Sequence, residues 1–362
     1  MSILNPNCHP RTAPILDILG LTGIVDVRHC TWTMVTPEAR HSIWRLGVPD
    51  GLPGPSSYIV KLYLESSDAY FAHRFRREER ILDLFGRYAS DLVPRVYGGI
   101  FIKDQSAHLI LEDLGDRPLH IDLYEAPHSE RRRLLSQAVD LLITFHQLAD
   151  KYSGIFRAIC HSAILDRINT ETLLSRFAIA QERLSLRMPD GKAREIRSAM
   201  REFVIRPLLN GPSRPIHNSF SPLNLCVVAD GSLRVIDMET IAIGPAELDL
   251  AELMIYPGQD IRDVENELRV QYLRGMDQEE KDRDLEYRIE LAAIVRAIDY
   301  AGTLSTRSKQ FRNAGLEELA GFQNQRRAGY LANAFERARN LPLPPLLTDL
   351  LAQLDNKYGD TP

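Results

Sequence analysis

The sequence predicts an α+β protein of two lobes, a small antiparallel β-sheet lobe followed by a larger, mainly helical one. Three observations predict it. Short β-rich pieces crowd the first 112 residues around one charged helical segment. Apolar residues then recur every three or four positions through most of the remainder. A β-rich island bounded by turn residues interrupts those helices near 215–236.

The elements follow in order. The apolar stretch 15–24 reads as a helix packed on the first lobe. Segments 30–35, 42–46 and 57–64 read as an antiparallel meander, with turns at Pro49-Asp50-Gly51 and Pro53-Gly54-Pro55. Segment 67–89 is charged, with Phe71, Phe75, Ile81, Leu82 and Phe85 at helical spacing. Strands at 95–101 and 107–112 complete the lobe. Past Gly115, Leu134, Leu135, Ala138, Leu141, Leu142, Phe145 and Leu148 mark one strong amphipathic helix. Residues 163–206 continue as helices, broken at Pro189-Asp190-Gly191. The island holds strands at 215–217, 223–228 and 233–236, the last two joined by the hairpin turn Ala229-Asp230-Gly231-Ser232. Residues 249–354 are helical again. The boundary falls near 113–118, giving lobes 1–114 and 115–362.

Composition excludes several classes. At 362 residues the chain is too long for one simple core. Hydrophobic residues at 44% and charged residues at 26% suit a soluble globular protein. A net charge of −5 supplies no basic field for nucleic acid. Arg74, Arg76, Arg77 and Arg80, and Arg131 to Arg133, lie in helical segments and read as solvated faces. The four cysteines are scattered without metal-ligand spacing, which fits reduced thiols in a cytosolic protein. No signal-peptide pattern opens the chain, and no apolar run reaches the ~18 residues of a bilayer span. The expectation is a cytoplasmic protein with neither nucleic acid nor membrane as partner.

The chemistry concentrates in the island. Asn224 on a loop, a short hairpin, then Asp237 emerging from an apolar strand offers two hard oxygen ligands 13 residues apart. Mg²⁺ takes one or two such groups and completes its shell with phosphate oxygens and water.

In order, the chain reads His217-Asn218-Ser219, Asn224, Ile236-Asp237-Met238-Glu239, then Gly244-Pro245-Ala246-Glu247-Leu248-Asp249-Leu250-Ala251. This resembles the aminoglycoside phosphotransferase and choline kinase family, whose pattern is H-G-D-x-x-x-x-N, an I-D-W-E-type strand end and G-x-P-x-x-D-L-A. Upstream, Tyr58-Ile59-Val60-Lys61-Leu62-Tyr63, Arg77-Glu78-Glu79-Arg80-Ile81-Leu82 and Leu109-Ile110-Leu111-Glu112-Asp113-Leu114-Gly115 resemble its lysine strand, glutamate helix and hinge. The resemblance runs from about residue 30 to about 260.

It implies a protein-kinase-like fold that uses ATP, or another nucleoside triphosphate, with Mg²⁺. Lys61 would grip the α- and β-phosphates, and Glu78, rather than Glu79, would pair with it. The hinge at Glu112, Asp113 and Leu114 would bind the base through its backbone. Asn224 and Asp237 would be catalytic groups and metal ligands. Ser219 stands where the family's aspartate accepts the proton of the acceptor hydroxyl. His146 and His217 read as structural, and Asp249 as a brace for the loop. The acceptor would be a small molecule or peptide against the helices of the second lobe.

Two departures shape the expected function. A positioned base contributes ~10²–10⁴-fold, so Ser219 implies a slow or assisted phosphotransferase; Glu239, a substrate group or a partner protein could supply the base. The turn 35–41, Val35-Thr36-Pro37-Glu38-Ala39-Arg40-His41, has no glycine to bring backbone amides onto phosphates. These departures also allow a pseudokinase that docks a partner, or transfer of AMP. The acidic run 282–290 reads as a solvated face, or as a floor for a cationic acceptor.

Overall fold

A computed structural model of the chain describes residues 12–21, 27–37, 41–52, 54–64, 69–102, 106–160, 167–186, 188–256, 262–277 and 283–358. The tip of the glycine-free turn, 38–40, lies outside the described residues, as does residue 282 at the start of the acidic run.

The first lobe comprises α1 (Thr12–Ile18), β1 (Thr31–Pro37), β2 (His41–Gly47), β3 (Ser57–Leu64), α2 (Ala69–Tyr88), β4 (Val96–Ile102) and β5 (Ser106–Glu112). The strands form one antiparallel sheet in the order β1-β2-β3-β5-β4. Alternation along β3 splits its side chains between two faces. Tyr58 and Val60 pack with Ile15 and Leu16 of α1. Lys61 and Tyr63 are buried on the other face, where the Tyr63 ring meets Phe75 of α2 at 5.8 Å. Close approach of α2 to the sheet needs Gly99 of β4. A Cβ there would stand 2.3 Å from Glu79 Oε1 and 2.8 Å from the Phe75 ring.

The second lobe runs α3 (Leu119–Glu125), α4 (His128–Lys151), α5 (Ser153–Cys160), α6 (Thr170–Arg183), α7 (Asp190–Met200), α8 (Arg206–Leu209), β6 (Ser213–Ile216), β7 (Leu225–Val227), β8 (Leu233–Val235), β9 (Ala242–Pro245), α9 (Glu247–Met254), α10 (Arg262–Gly275), α11 (Arg283–Asn313), α12 (Glu317–Arg339) and α13 (Pro345–Tyr358). Asn169 starts α6 with a capping box, its side chain accepting from Thr172 N at 2.9 Å. Between α7 and α8 the helix widens into a π turn at Arg201–Ile205. Pro207 explains it, since proline cannot donate the next helical bond. The predicted turn at 229–232 forms, with Gly231 at φ 82° and Val228 N donating to Ser232 O at 3.0 Å.

The fold is therefore the predicted α+β arrangement of a five-stranded sheet lobe and a larger helical lobe. One apolar cluster spans the junction: Phe85 of α2 stacks on Phe145 of α4 at 5.1 Å, among Leu109, Leu142 and Val235. Each such ring or aliphatic side chain contributes about 1.5–3 kcal/mol on burial. A second cluster joins α6, α9, α11, α12 and α13. No helix among the described residues is long and apolar enough to cross a membrane.

Three expectations are corrected. Arg77 is only 7% exposed and donates to Glu239 O and Ile241 O, and Arg74 pairs with Glu239, so those arginines face the protein rather than solvent. The island has a further strand, β9, paired antiparallel with β6. Glu290 of the acidic run is paired with Arg269 and Arg337, so it is no open floor for a cation.

Candidate active site

The centre of the cleft is an ammonium among carboxylates. Lys61 Nζ lies 2.9 Å from Glu78 Oε2, 2.5 Å from Asp237 Oδ1 and 3.2 Å from Glu239 Oε2. Tyr63 donates its hydroxyl to Glu78, and Arg74 Nη1 reaches Glu239 Oε1 at 2.7 Å. Lys61, Glu78 and Glu239 are each under 5% exposed. Burial opposes the Lys61 charge, yet Asp237, Glu239 and Glu78 together hold its pKa well above the ordinary value. Glu78 is also raised, first by burial and then by the charges of Asp237 and Glu239, against the lowering pull of Lys61. Lys61 rises because three carboxylates surround it, whereas Glu78 rises chiefly because it is buried, with the charges of Asp237 and Glu239 adding to it.

The geometry selects Glu78 over Glu79. One residue further along α2, Glu79 packs beside Gly99 of β4 instead.

The loop from His217 to Asn224 and the residue Asp237 are brought together by the β7–β8 hairpin. Leu225 pairs with Val235, and Ile236 N donates to Asn224 O at 2.9 Å. Asn224 Nδ2 donates to Ser219 O at 2.9 Å and to Ser219 Oγ at 3.0 Å. Asp237 has φ 66° and Asn218 φ 63°, left-handed conformations that Asp and Asn tolerate better than most residues. Asp237 keeps 31% of its side chain exposed, towards the cleft, while still touching Lys61.

Asp249 of α9 holds this loop from below. Fully buried, it accepts His217 N at 2.7 Å, Asn218 N at 2.8 Å and His146 Nε2 at 3.1 Å. His146 is fixed in turn by the Tyr272 hydroxyl at 2.8 Å, and His217 Nε2 by Ile236 O at 3.0 Å. Sequence reasoning missed a second brace. Arg296 of α11 donates to Asn218 Oδ1 at 2.8 Å and sits 3.4 Å from Glu252, which also accepts the Tyr300 hydroxyl. Nothing short of the fold places α11 beside residue 218.

Burial pushes the Glu252 pKa up to about 7 from 4.5, against the pull of Arg296. Its folded value exceeds its unfolded one, so its contribution to stability is whole below pH 4.5 and is lost as pH rises to about 7. The variant Glu252→Gln is expected to flatten the stability profile over that window. Urea midpoints between pH 5 and pH 8 check this; parallel profiles for the two proteins would refute it.

The hinge carboxylates act as ties. Asp113 accepts Arg45 Nε at 2.6 Å, Ser57 Oγ at 2.7 Å and Gly115 N at 3.0 Å. Glu112 accepts Arg234 Nη1 at 2.6 Å and Arg95 N at 3.0 Å. With those side chains engaged in fixing the strand end and Glu112 N donating to Arg95 O at 2.9 Å, the backbone of 113–114 is what could meet a ligand. Leu114 is half-buried beside them.

Of the residues singled out from sequence, Lys61, Glu78 and Asp237 thus meet directly, and Asn224 and Ser219 join them through the hairpin. Glu239 is a sequence candidate for the base in place of the missing aspartate. It is 4% exposed and held by Lys61 and Arg74, which does not suit that role. It belongs instead to a carboxylate group, Glu78, Asp237 and Glu239, whose oxygens lie within 4.8 Å of one another. The donor set fits a hard divalent cation: oxygens in excess of local positive charge, and an Asn224 amide whose nitrogen is engaged, which leaves Oδ1 to coordinate.

Comparison with known proteins follows the same lines. A family model described as "Phosphotransferase enzyme family" matches residues 38–285. No curated protein sequence matches the chain. Among solved structures, the GDP complex of an aminoglycoside 2′-phosphotransferase-IIIa variant is 14% identical with a TM-score of 0.57, covering 89% of this chain and 100% of that one. The Plasmodium vivax ethanolamine kinase is 15% identical with a TM-score of 0.54, over 83% and 85% of the two chains. A choline kinase from Streptococcus pneumoniae is 13% identical with a TM-score of 0.52, over 86% and 98%. These likenesses establish the kinase-like fold.

Proposed function

The chain belongs to the phosphotransferase enzyme family, and on that premise we propose that it transfers the γ-phosphoryl group of ATP, or of another nucleoside triphosphate, to a hydroxyl of a small molecule. The observation that carries this reading is the direct contact of Lys61 with both Glu78 and Asp237 beneath the β-sheet lobe. In this reading residues 1–114 bind the nucleotide and 115–362 carry the metal loop and the acceptor helices. The backbone of 112–114 receives the base, and Lys61, oriented by Glu78, holds the α- and β-phosphates. Asn224 Oδ1 and the Asp237 carboxylate would hold Mg²⁺, which supplies charge stabilisation for the phosphates when bound. The acceptor oxygen forms its bond to Pγ as the bond to the β,γ-bridging oxygen breaks, and the acceptor proton departs to solvent. Ser219 provides no base. Because phosphoryl transfer depends mainly on positioning and electrostatics, the reaction is slowed rather than prevented. The cytoplasm is the proposed location.

The test is label transfer from γ- and α-labelled ATP, on the wild type and on Ser219→Asp. Transfer of the γ-label alone is expected, with the Asp variant faster by about 10²-fold. Transfer of the α-label would support AMP transfer instead. Nucleotide binding without transfer of any label by either protein would sink the phosphotransferase reading and favour a pseudokinase, the reading that Ser219 itself motivates.

A further inference from the structure

A cationic and aromatic cluster stands where α3, the end of α9 and α12 meet. His120 of α3 lies 6.4 Å, ring to ring, from Tyr256. Arg326 of α12 sits over the Tyr256 ring at 5.3 Å and the Phe322 ring at 5.8 Å, and it hydrogen-bonds Tyr330. Arg326 is half-buried and Phe322 exposed, so the guanidinium is reachable from solvent. Among the described residues no carboxylate pairs with Arg326.

Two structural routes join this cluster to the loop that carries Ser219. In front, α3 packs on the 222–224 turn that ends in Asn224, and α9, whose Asp249 braces the loop, ends just before Tyr256. Behind, Tyr330 stacks on Tyr300 at 5.2 Å, Tyr300 bonds Glu252, and Arg296 bridges Glu252 to Asn218. Burial, then the Arg326 charge, lowers the pKa of His120, which favours its neutral imidazole. The segment His217-Asn218-Ser219 contributes no carboxylate. Glu252, which accepts the Tyr300 hydroxyl, is itself buried and occupied.

We infer that this cluster is an acceptor subsite, and that it selects a hydroxyl compound bearing an oxyanion, either a carboxylate or a phosphomonoester. The inference rests on the phosphotransferase reading of the same cleft. A cationic acceptor needs free aromatic faces or an unpaired carboxylate. Here the faces of Tyr256 and Phe322 already carry a guanidinium. An oxyanion, by contrast, meets a fixed fork of N–H donors in a site partly shielded from water. His120 adds a neutral donor, and the uncharged Ser219 spares the acceptor the repulsion that a carboxylate at that point would exert.

The experiment uses the full chain and Arg326→Gln, which keeps hydrogen bonding and removes the charge. The probes are glycerate and gluconate as hydroxycarboxylates, glycerol phosphate as a phosphomonoester, glycerol as the neutral control, and choline and ethanolamine as cations. Thermal shift is read without nucleotide, and release of nucleoside diphosphate with Mg²⁺ and ATP or GTP. An oxyanion probe is expected to raise the melting temperature and drive turnover. Arg326→Gln should raise its KM by roughly 10- to 100-fold while the nucleotide KM stays put. The better of the two oxyanion sets identifies the group recognised. Turnover driven by choline or ethanolamine, an absence of any shift with the oxyanions, or an unchanged KM in the variant would each overturn the inference. Failure of nucleotide to bind overturns the phosphotransferase reading alone, because the shift without nucleotide still reports on the subsite.

Discussion

Replacing Lys61 with Met is expected to cost about 3–5 kcal/mol of stability and to abolish nucleotide-dependent turnover. Lys61 is 4% exposed and is the ammonium shared by Glu78, Asp237 and Glu239. A methionine fills the same space but leaves buried carboxylates facing one another, and breaking a buried pair from one side is costlier than never having built it. The effect depends on pH in a defined direction. Glu78 is already raised above the ordinary carboxylate value in the presence of Lys61. Without that ammonium it rises further, so the variant keeps its carboxylates protonated in mild acid and must ionise or unfold as pH rises. The penalty should therefore be small near pH 5 and full near pH 8, as read from urea midpoints at the two values. Equal stability of the two proteins at pH 8 would mean that Lys61 does not neutralise this cluster.

Replacing Asp249 with Ala is expected to destabilise the protein by roughly 3 kcal/mol or more, because each buried donor left without a partner costs about 1–3 kcal/mol. Three donors depend on it: His217 N, Asn218 N and the His146 ring. The variant Asp249→Asn should fare little better, since its amide nitrogen would face a donor that the carboxylate now accepts. Burial raises the Asp249 pKa, but the hydrogen bond from His146 and the charges of His146, His217 and Arg296 outweigh it, and the net direction is down. A folded value below the unfolded one means that this stabilisation is whole above pH 3.8 and is lost as pH falls through the folded value. Wild type and variant should thus differ by a constant amount near neutrality and converge only in acid. A variant as stable as the wild type at pH 7 would refute the bracing role.

Much of this was legible in the chain itself, for physical reasons. Five strands could be read because β-rich runs and turn residues alternate at short range. Lys61 and Glu78 sit on elements with clear periodicity, and a hairpin turn at 229–232 brings the chain back so that Ile236, next to Asp237, bonds Asn224. What escaped depends on contacts between distant segments. The burial of Arg77 and the pairing of Arg74 follow from the backbone at 239–241 and the Glu239 side chain, 162 to 165 positions away. Strand β9 is four residues long and exists through its pairing with β6. The grip of Arg296 on Asn218 was hidden because α11 packs on several sides: Leu291, Ala292, Ala293 and Ile294 are all buried in succession, which erases the one-faced stripe that helix reading relies on. The cluster around Arg326 appears only once α3, α9 and α12 are assembled.

Asn224 and Asp237 are expected to hold a metal–nucleotide complex against Lys61. Calorimetric titration of ATP into the wild type and into Asp237→Asn, each with Mg²⁺ and with a chelator, tests it most directly. Binding to the wild type is expected to weaken at least ~10-fold when either Mg²⁺ or the Asp237 charge is removed, the scale of one charge-assisted contact. Equal affinity under all four conditions, or no binding under any, would contradict it.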